Sequence, residues 1–240
     1  MTFDPFGDFE TQGYLRNLAD EKDPDIVRRL EHASFMTGID AALERLAQIE
    51  HLSYADVLET HRILFEAVYP WAGQDRQATA PDLAISKGTV LFAHPKHIQR
   101  AIAYALTHGQ DEEFMRGKPG VIMGYLAYGH PFLDGNGRTI MLVHGVMAER
   151  AGFSIDWAAT DKAGYLSALT KELDDPDKGH LDTYLKPFIR EAVGEDRLAA
   201  EIALAPGLDG NDEQNEVLGK TSDPALKARY EQQELKRKND

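Results

Sequence analysis

One nine-residue stretch, His130-Pro131-Phe132-Leu133-Asp134-Gly135-Asn136-Gly137-Arg138, lies between two apolar segments of helical character, Val121 to Gly129 and Thr139 to Ala151. It constrains the fold more than any other feature, because it demands two buried helices joined by a tight loop that gathers polar groups. Pro131 disfavours helical geometry in the residue before it, so His130 is expected at a helix end. Phe132 and Leu133 are expected to anchor the loop in the core. Gly135-Asn136-Gly137 lets the backbone turn tightly and aim N–H groups outward at the head of the next helix, where anions bind. An imidazole transfers protons near neutral pH. A carboxylate such as Asp134 is a hard oxygen donor suited to Mg²⁺. A guanidinium such as Arg138 offers a planar fork to phosphate oxygens. Singly, a His-Pro is commonly a turn and a Gly-x-Gly a loop. A base, a metal ligand, an anion-binding turn and an arginine together point to attack on a phosphate.

The string resembles the H-P-F-x-x-G-N-G-R signature of the Fic (filamentation induced by cAMP) family, with every specified position present. A second stretch, His61-Arg62-Ile63-Leu64-Phe65 followed by Trp71-Ala72-Gly73-Gln74-Asp75-Arg76, is similar to the family's H-x-x-L-F and W-A-G-x-x-R segments. Gly13-Tyr14-Leu15-Arg16-Asn17 resembles the segment ahead of the first core helix, and the likeness runs in order over roughly residues 13 to 192. The resemblance implies an all-α fold, a Fic-type helical bundle with a small β-hairpin flap beside the active-site loop. It implies a protein adenylyltransferase that moves AMP from ATP to a Ser, Thr or Tyr hydroxyl of a target protein, in a bacterial toxin or effector. His130 would be the general base and Asp134 the Mg²⁺ ligand. Gly135, Asn136 and Gly137 would form the anion hole, with Arg138 and Thr139 also on the nucleotide. Lys87 and Gly88 in the flap and Tyr165 are further candidate nucleotide contacts. For Tyr165 core packing is the favoured reading, and for Arg76 structural bracing. A target protein would pair along the flap, about residues 80–93.

The chain departs from the pattern in two places. The family motif often continues to a second arginine on the γ-phosphate, where this chain has Met141. No Glu-Gly or Glu-Asn dipeptide occurs, so the family's inhibitory helix, whose glutamate pairs with that arginine, is not expected. The enzyme would then be unrestrained or held by a separate small antitoxin. Another phosphate-linked donor (UMP or phosphocholine) and a non-catalytic module on the Fic scaffold are the alternative readings. Family kinases carry Lys at the position of Gly137.

The net charge of −14 gives no electrostatic footprint for nucleic acid. The absence of cysteine excludes disulfides and thiolate chemistry. No apolar run is long enough to span a membrane, and the start, Met1-Thr2-Phe3-Asp4-Pro5, lacks a secretory signal. A bacterial cytoplasm, or delivery into a host cell by a specialised secretion system, is expected. Three regions are read: an irregular arm over 1–22, a Fic domain over 23–193, and an acidic linker with a charged C-terminal helix over 194–240. Asp23-Pro24 opens the first helix, with a bend near Thr37-Gly38. Ser53 and Asp56 cap a second helix, which ends at Tyr69-Pro70. Thr89 to Phe92 is a strand joined to Ile85 through a Ser86-Lys87-Gly88 turn. His94-Pro95-Lys96-His97 reads as a helix start rather than a metal site. Phe153 to Trp157 reads as a connector, Thr160 as a helix cap, Leu181 to Ala192 as the last core helix, and Asp223-Pro224 as the start of the charged tail helix.

Overall fold

The computed structural model describes residues 15–176, 178–208 and 215–237. Residues 1–14 of the expected arm and 209–212 of the expected linker lie outside the described residues. Helix α1 (Pro24–Ala47) starts as its caps dictate, with the Asp23 side chain accepting from the Asp25 N–H and proline in the first turn. It then runs unbroken for 24 residues, without the bend expected at Thr37-Gly38. Gly38 is instead a close-packing point: a Cβ there would stand 2.9 Å from the carbonyl oxygen of Ile63. Helix α2 (Tyr54–Phe65) opens on a capping box in which the Ser53 N–H donates to Asp56 over 2.9 Å. It stops at Phe65 rather than Tyr69, yet Val68, Tyr69 and Trp71 remain buried.

A short α3 (Arg76–Thr79) leads into β1 (Leu83–Lys87) and β2 (Val90–Leu91), the expected hairpin. Lys87 faces Val90 across it, so the turn falls on Gly88-Thr89, one residue later than read. A 3-10 turn over Pro95–His97 feeds α4 (Ile98–Gly109), and Asp111 caps α5 (Glu112–Gly117). Helix α6 (Pro119–Gly129) is buried at every residue. A helix apolar all round can only sit inside. Helix α7 (Asn136–Arg150) begins at Asn136, ahead of the expected Thr139, so the motif's last three residues form its first turn.

The region after α7 departs most from the sequence reading. Phe153–Ile155 is a strand, β3, not a connector. Helix α8 (Lys162–Asp174) is capped by Asp161, which accepts from the Gly164 N–H at 2.7 Å, while the Thr160 hydroxyl turns back to the Trp157 carbonyl. Helix α9 (His180–Leu185) ends before Pro187, which has no N–H to donate. The chain then extends as β4 (Ile189–Glu191), antiparallel to β3. Helix α10 (Glu195–Ala203) lies in the expected linker but packs on α1 and α7 through Leu198 and Ile202. Strand β5 (Glu216–Lys220) and α11 (Pro224–Lys236) complete the chain.

The core surrounds α6 and α7. Helices α4, α8 and α9 pack on α6, while α1 and α2 pack on α7 and on each other. The fold is mainly helical, as expected, with two small sheets among the described residues. The larger has the order β2-β1-β5, so the hairpin gains a third, antiparallel strand from the C-terminal segment. Leu226 and Tyr230 of α11 pack with Ala84 and Leu91 of the hairpin. The charged helix is therefore seated on the flap rather than solvated. Among the described residues no helix is long and apolar enough to cross a membrane.

Candidate active site

His130 follows the last residue of α6 in a left-handed conformation, φ +41°, which few residues other than glycine adopt. Pro131 explains why the helix stops there. Buried Arg76 holds this unusual turn: its Nε donates to the His130 carbonyl at 2.7 Å and its Nη2 to the Ala93 carbonyl at 2.9 Å. Bracing, the favoured reading of Arg76, is what these bonds do. The imidazole stacks on Phe92 with ring centres 3.5 Å apart. Burial, with Arg76 and Lys87 nearby, holds its pKa well below the ordinary histidine value, so the ring is neutral at pH 7.

Phe132 and Leu133 enter the core, as their types require. Under the loop lies buried His61. The Gly73 N–H donates to its Nδ1 at 2.9 Å, so Nε2 carries the proton and donates to the Asp134 carbonyl at 3.1 Å. The His61 ring stacks on Phe132, and burial pushes its pKa down to about 3. Its task is to tie the second sequence segment to the first.

Gly135 occupies the left-handed region, φ +74°, and a Cβ there would stand 2.4 Å from the Phe65 ring. Only glycine meets both conditions. Asn136 spends its side chain inside the loop, accepting from the Phe132 N–H at 2.9 Å and donating to the Phe132 carbonyl at 2.8 Å. What it can offer a ligand is its backbone N–H. A Cβ on Gly137 would meet nothing within 4 Å, so the backbone there borders open space. The first N–H groups of α7 have no partner within the helix, and a helix N-terminus facing open space can receive an anion.

Arg138 is buried, lies over the Phe65 ring at 4.7 Å, and pairs with Glu31 at 3.1 Å and Asp134 at 3.4 Å. Its Nη1 has no hydrogen-bond partner. Glu31 also accepts from the Tyr69 hydroxyl. Burial, with Asp134 close by, pushes the Glu31 pKa up to about 7, and the two carboxylates keep Arg138 charged. The Asp134 side chain is 43% exposed.

These groups open on one cavity of about 310 Å³. His130, Asp134, Gly135, Asn136, Gly137, Arg138, Lys87 and Tyr165 all border it. Tyr165 also packs edge-on against Trp157, so its core and cavity readings coexist. Two candidates do not border it. Gly88 sits in the hairpin turn at φ +56°, and the Thr139 hydroxyl donates to the Gly135 carbonyl at 2.9 Å, bracing the turn. Met141 does border the cavity, as do Glu31, Arg28 and Lys162, which the sequence reading missed. Glu31 had a signal: it lies four residues from both Val27 and Phe35, a carboxylate in a buried stripe. Asn215 had none. It reaches from the C-terminal segment to His130, Nε2 to Oδ1 3.1 Å.

A model of the Fic/DOC family matches residues 51–148. The protein adenylyltransferase VbhT of Bartonella schoenbuchensis is 31% identical over 172 residues, 66% of this chain and 34% of VbhT. The chain thus spans about a third of the length of VbhT. The probable protein adenylyltransferase y4lH of Sinorhizobium fredii is 27% identical over 167 residues, 65% of this chain and 82% of y4lH. Among solved structures, the N-terminal Fic domain of a VirB-translocated Bep effector protein from Bartonella quintana, with bound ADP, superposes with a TM-score of 0.65. That likeness is 19% identical and covers 78% of this chain and 95% of the other.

Proposed function

Since a model of the Fic/DOC family matches residues 51–148, we propose that the chain is a protein adenylyltransferase, moving AMP from ATP to a hydroxyl of a target protein. One observation carries the reading: a neutral imidazole, an exposed carboxylate, a helix N-terminus and a buried arginine converge on a single cavity. His130 takes the proton as the target hydroxyl attacks the α-phosphorus and pyrophosphate leaves. The first-turn N–H groups of α7 stabilise the charge on the α-phosphate oxygens, and they are oriented in advance by Gly135 and Asn136. Arg138 supplies fixed positive charge, and a phosphate oxygen would satisfy its unpaired Nη1. Asp134 fits Mg²⁺, which commonly takes one or two carboxylates and completes its shell with water and phosphate oxygens. Bound there, the ion would neutralise phosphate charge.

The decisive assay combines α-labelled ATP, Mg²⁺ and bacterial lysate, comparing wild type with His130→Ala. Label should pass to protein with wild type and fall by at least about a hundredfold with the variant. Equal labelling by both would refute the role of His130.

A second reading concerns the donor. A thioether at Met141 borders the cavity and cannot neutralise a γ-phosphate. Transfer of UMP or phosphocholine is therefore the alternative, read by the mass of the adduct on a modified target. The target would be met at the flap, in the bacterial cytoplasm or in a host cell after delivery. A separate antitoxin would have to act without the glutamate–arginine lock of the family.

A further inference from the structure

The flap edge on which a target would pair already holds a strand of the chain itself. β5 runs antiparallel to β1, with Leu83 opposite Lys220, Ala84 opposite Gly219, Ile85 opposite Val217 and Ser86 opposite Glu216. Asn215, the residue just before β5, bridges the active-site loop. Its Nδ2 donates to the Leu133 carbonyl at 2.7 Å, and its Oδ1 lies 3.1 Å from His130 Nε2. A carbonyl can only accept, so the contact with Leu133 fixes which way the amide points. Oδ1 then faces His130 and can also only accept, so Nε2 must carry the proton. The nitrogen facing the acceptor position is thereby held in its protonated tautomer and has no lone pair with which to take a proton from a hydroxyl.

We propose that residues 215–220 are an intramolecular pseudosubstrate: β5 fills the place of a target strand, and the Asn215 carboxamide fills the place of the acceptor hydroxyl. The proposal rests on the adenylyltransferase reading and adds restraint in cis to it. A carboxamide suits the post because it occupies the acceptor's place at His130 Nε2, with the direction of the hydrogen bond reversed, and is not a nucleophile. Helix α11 anchors the strand. Besides Leu226 and Tyr230, its Gln233 donates to the Leu91 carbonyl at 2.6 Å, Glu234 pairs with His97 and Arg100, and Arg237 lies over the Tyr128 ring at 3.5 Å. A tethered strand competes at an effective concentration of the order of millimolar. A target with micromolar abundance and ordinary strand-pairing affinity is modified only slowly until α11 and β5 are displaced.

The placement predicts a conversion. Replacing Asn215 by Ser or Tyr puts a hydroxyl where the amide sits, at two different reaches. In Mg²⁺ and ATP its oxygen would bond to the α-phosphorus, the bond from that phosphorus to the bridging oxygen would break, pyrophosphate would leave with the electron pair, and the proton would pass to His130. The full-length chain would be analysed by intact mass and peptide mapping. One AMP at residue 215 is expected in Asn215→Ser or Asn215→Tyr, and none in wild type or when His130→Ala is added. Asn215→Ala should raise label transfer to lysate proteins about tenfold, since the two restraining contacts of the Asn215 side chain are removed. Wild-type rates of transfer to other proteins with residue 215 unmodified in every variant would overturn the pseudosubstrate and leave the adenylyltransferase reading standing. No transfer by any variant, Asn215→Ala included, would overturn both.

Discussion

At the scale of single residues, the site depends on side chains that never touch substrate. Arg76 is fully buried and its fork satisfies carbonyls of His130 and Ala93. Lysine offers the same charge without the planar fork, so Arg76→Lys leaves a carbonyl unmet. The substitution should cost about 2–3 kcal/mol and loosen the turn that aims His130. The check is a urea titration: a lower midpoint at unchanged slope is expected. Gly135→Ala faces both a positive φ and the Phe65 ring. It should cost about 2 kcal/mol or more, and an unaltered thermal midpoint would contradict the packing described. The turn formers and buried anchors in the string from His130 to Arg138 were legible by type, and most of its polar residues do border the cavity. Thr139, expected on the nucleotide beside the string, and Gly88, expected there from the flap, do not border the cavity, and each sits in a turn. Glu31 carried a readable signal as a carboxylate on a buried helical stripe.

At the scale of elements, caps and breakers decided most boundaries. Asp23-Pro24, Ser53 with Asp56, and Asp223-Pro224 each open a helix where the sequence places one. Pro187 ends α9 early, and the freed chain pairs with β3, an edge no local pattern announces. The continuity of α1 has the same character. A glycine in a helix reads as a weak point, yet Gly38 is there because α2 passes too close for a side chain. Gly38→Ala should improve local helix propensity by about 1 kcal/mol but force α1 from α2. A net loss of about 1–3 kcal/mol follows. Stabilisation by this substitution, measured by chemical denaturation, would show that the helices separate freely.

For the whole molecule, buried histidines set the response to acid. His61, His130 and His144 are held neutral by burial, His144 with a pKa pushed down to about 4. Their folded values lie below the unfolded value of about 6.5. As pH falls through 6.5 the unfolded chain takes up protons first, so stability declines from there towards pH 4 and below. Glu31 works the other way, since its folded value of about 7 lies above the unfolded one and its contribution is lost as pH rises from about 4.5 to 7. Three histidines outweigh one carboxyl. Urea midpoints should therefore fall between about pH 7 and pH 5, as the unfolding free energy drops by up to about 1.4 kcal/mol per pH unit for each histidine. Midpoints that stay level across that interval would mean the histidines titrate freely.

The sequence by itself determined what neighbouring residues can settle among themselves. That covers the helix starts, the hairpin, and the string that turns α6 into α7 through a tight loop. Those features follow from backbone sterics, capping and periodicity, which act over a few residues. Only the tertiary structure decided which distant groups meet: Glu31 with Arg138, β5 with β1, and Asn215 with His130 across 85 positions. Such pairings are won in competition for burial and for backbone hydrogen bonds. The strand that takes the flap edge is the one whose anchor, α11, finds an apolar seat on Ala84 and Leu91.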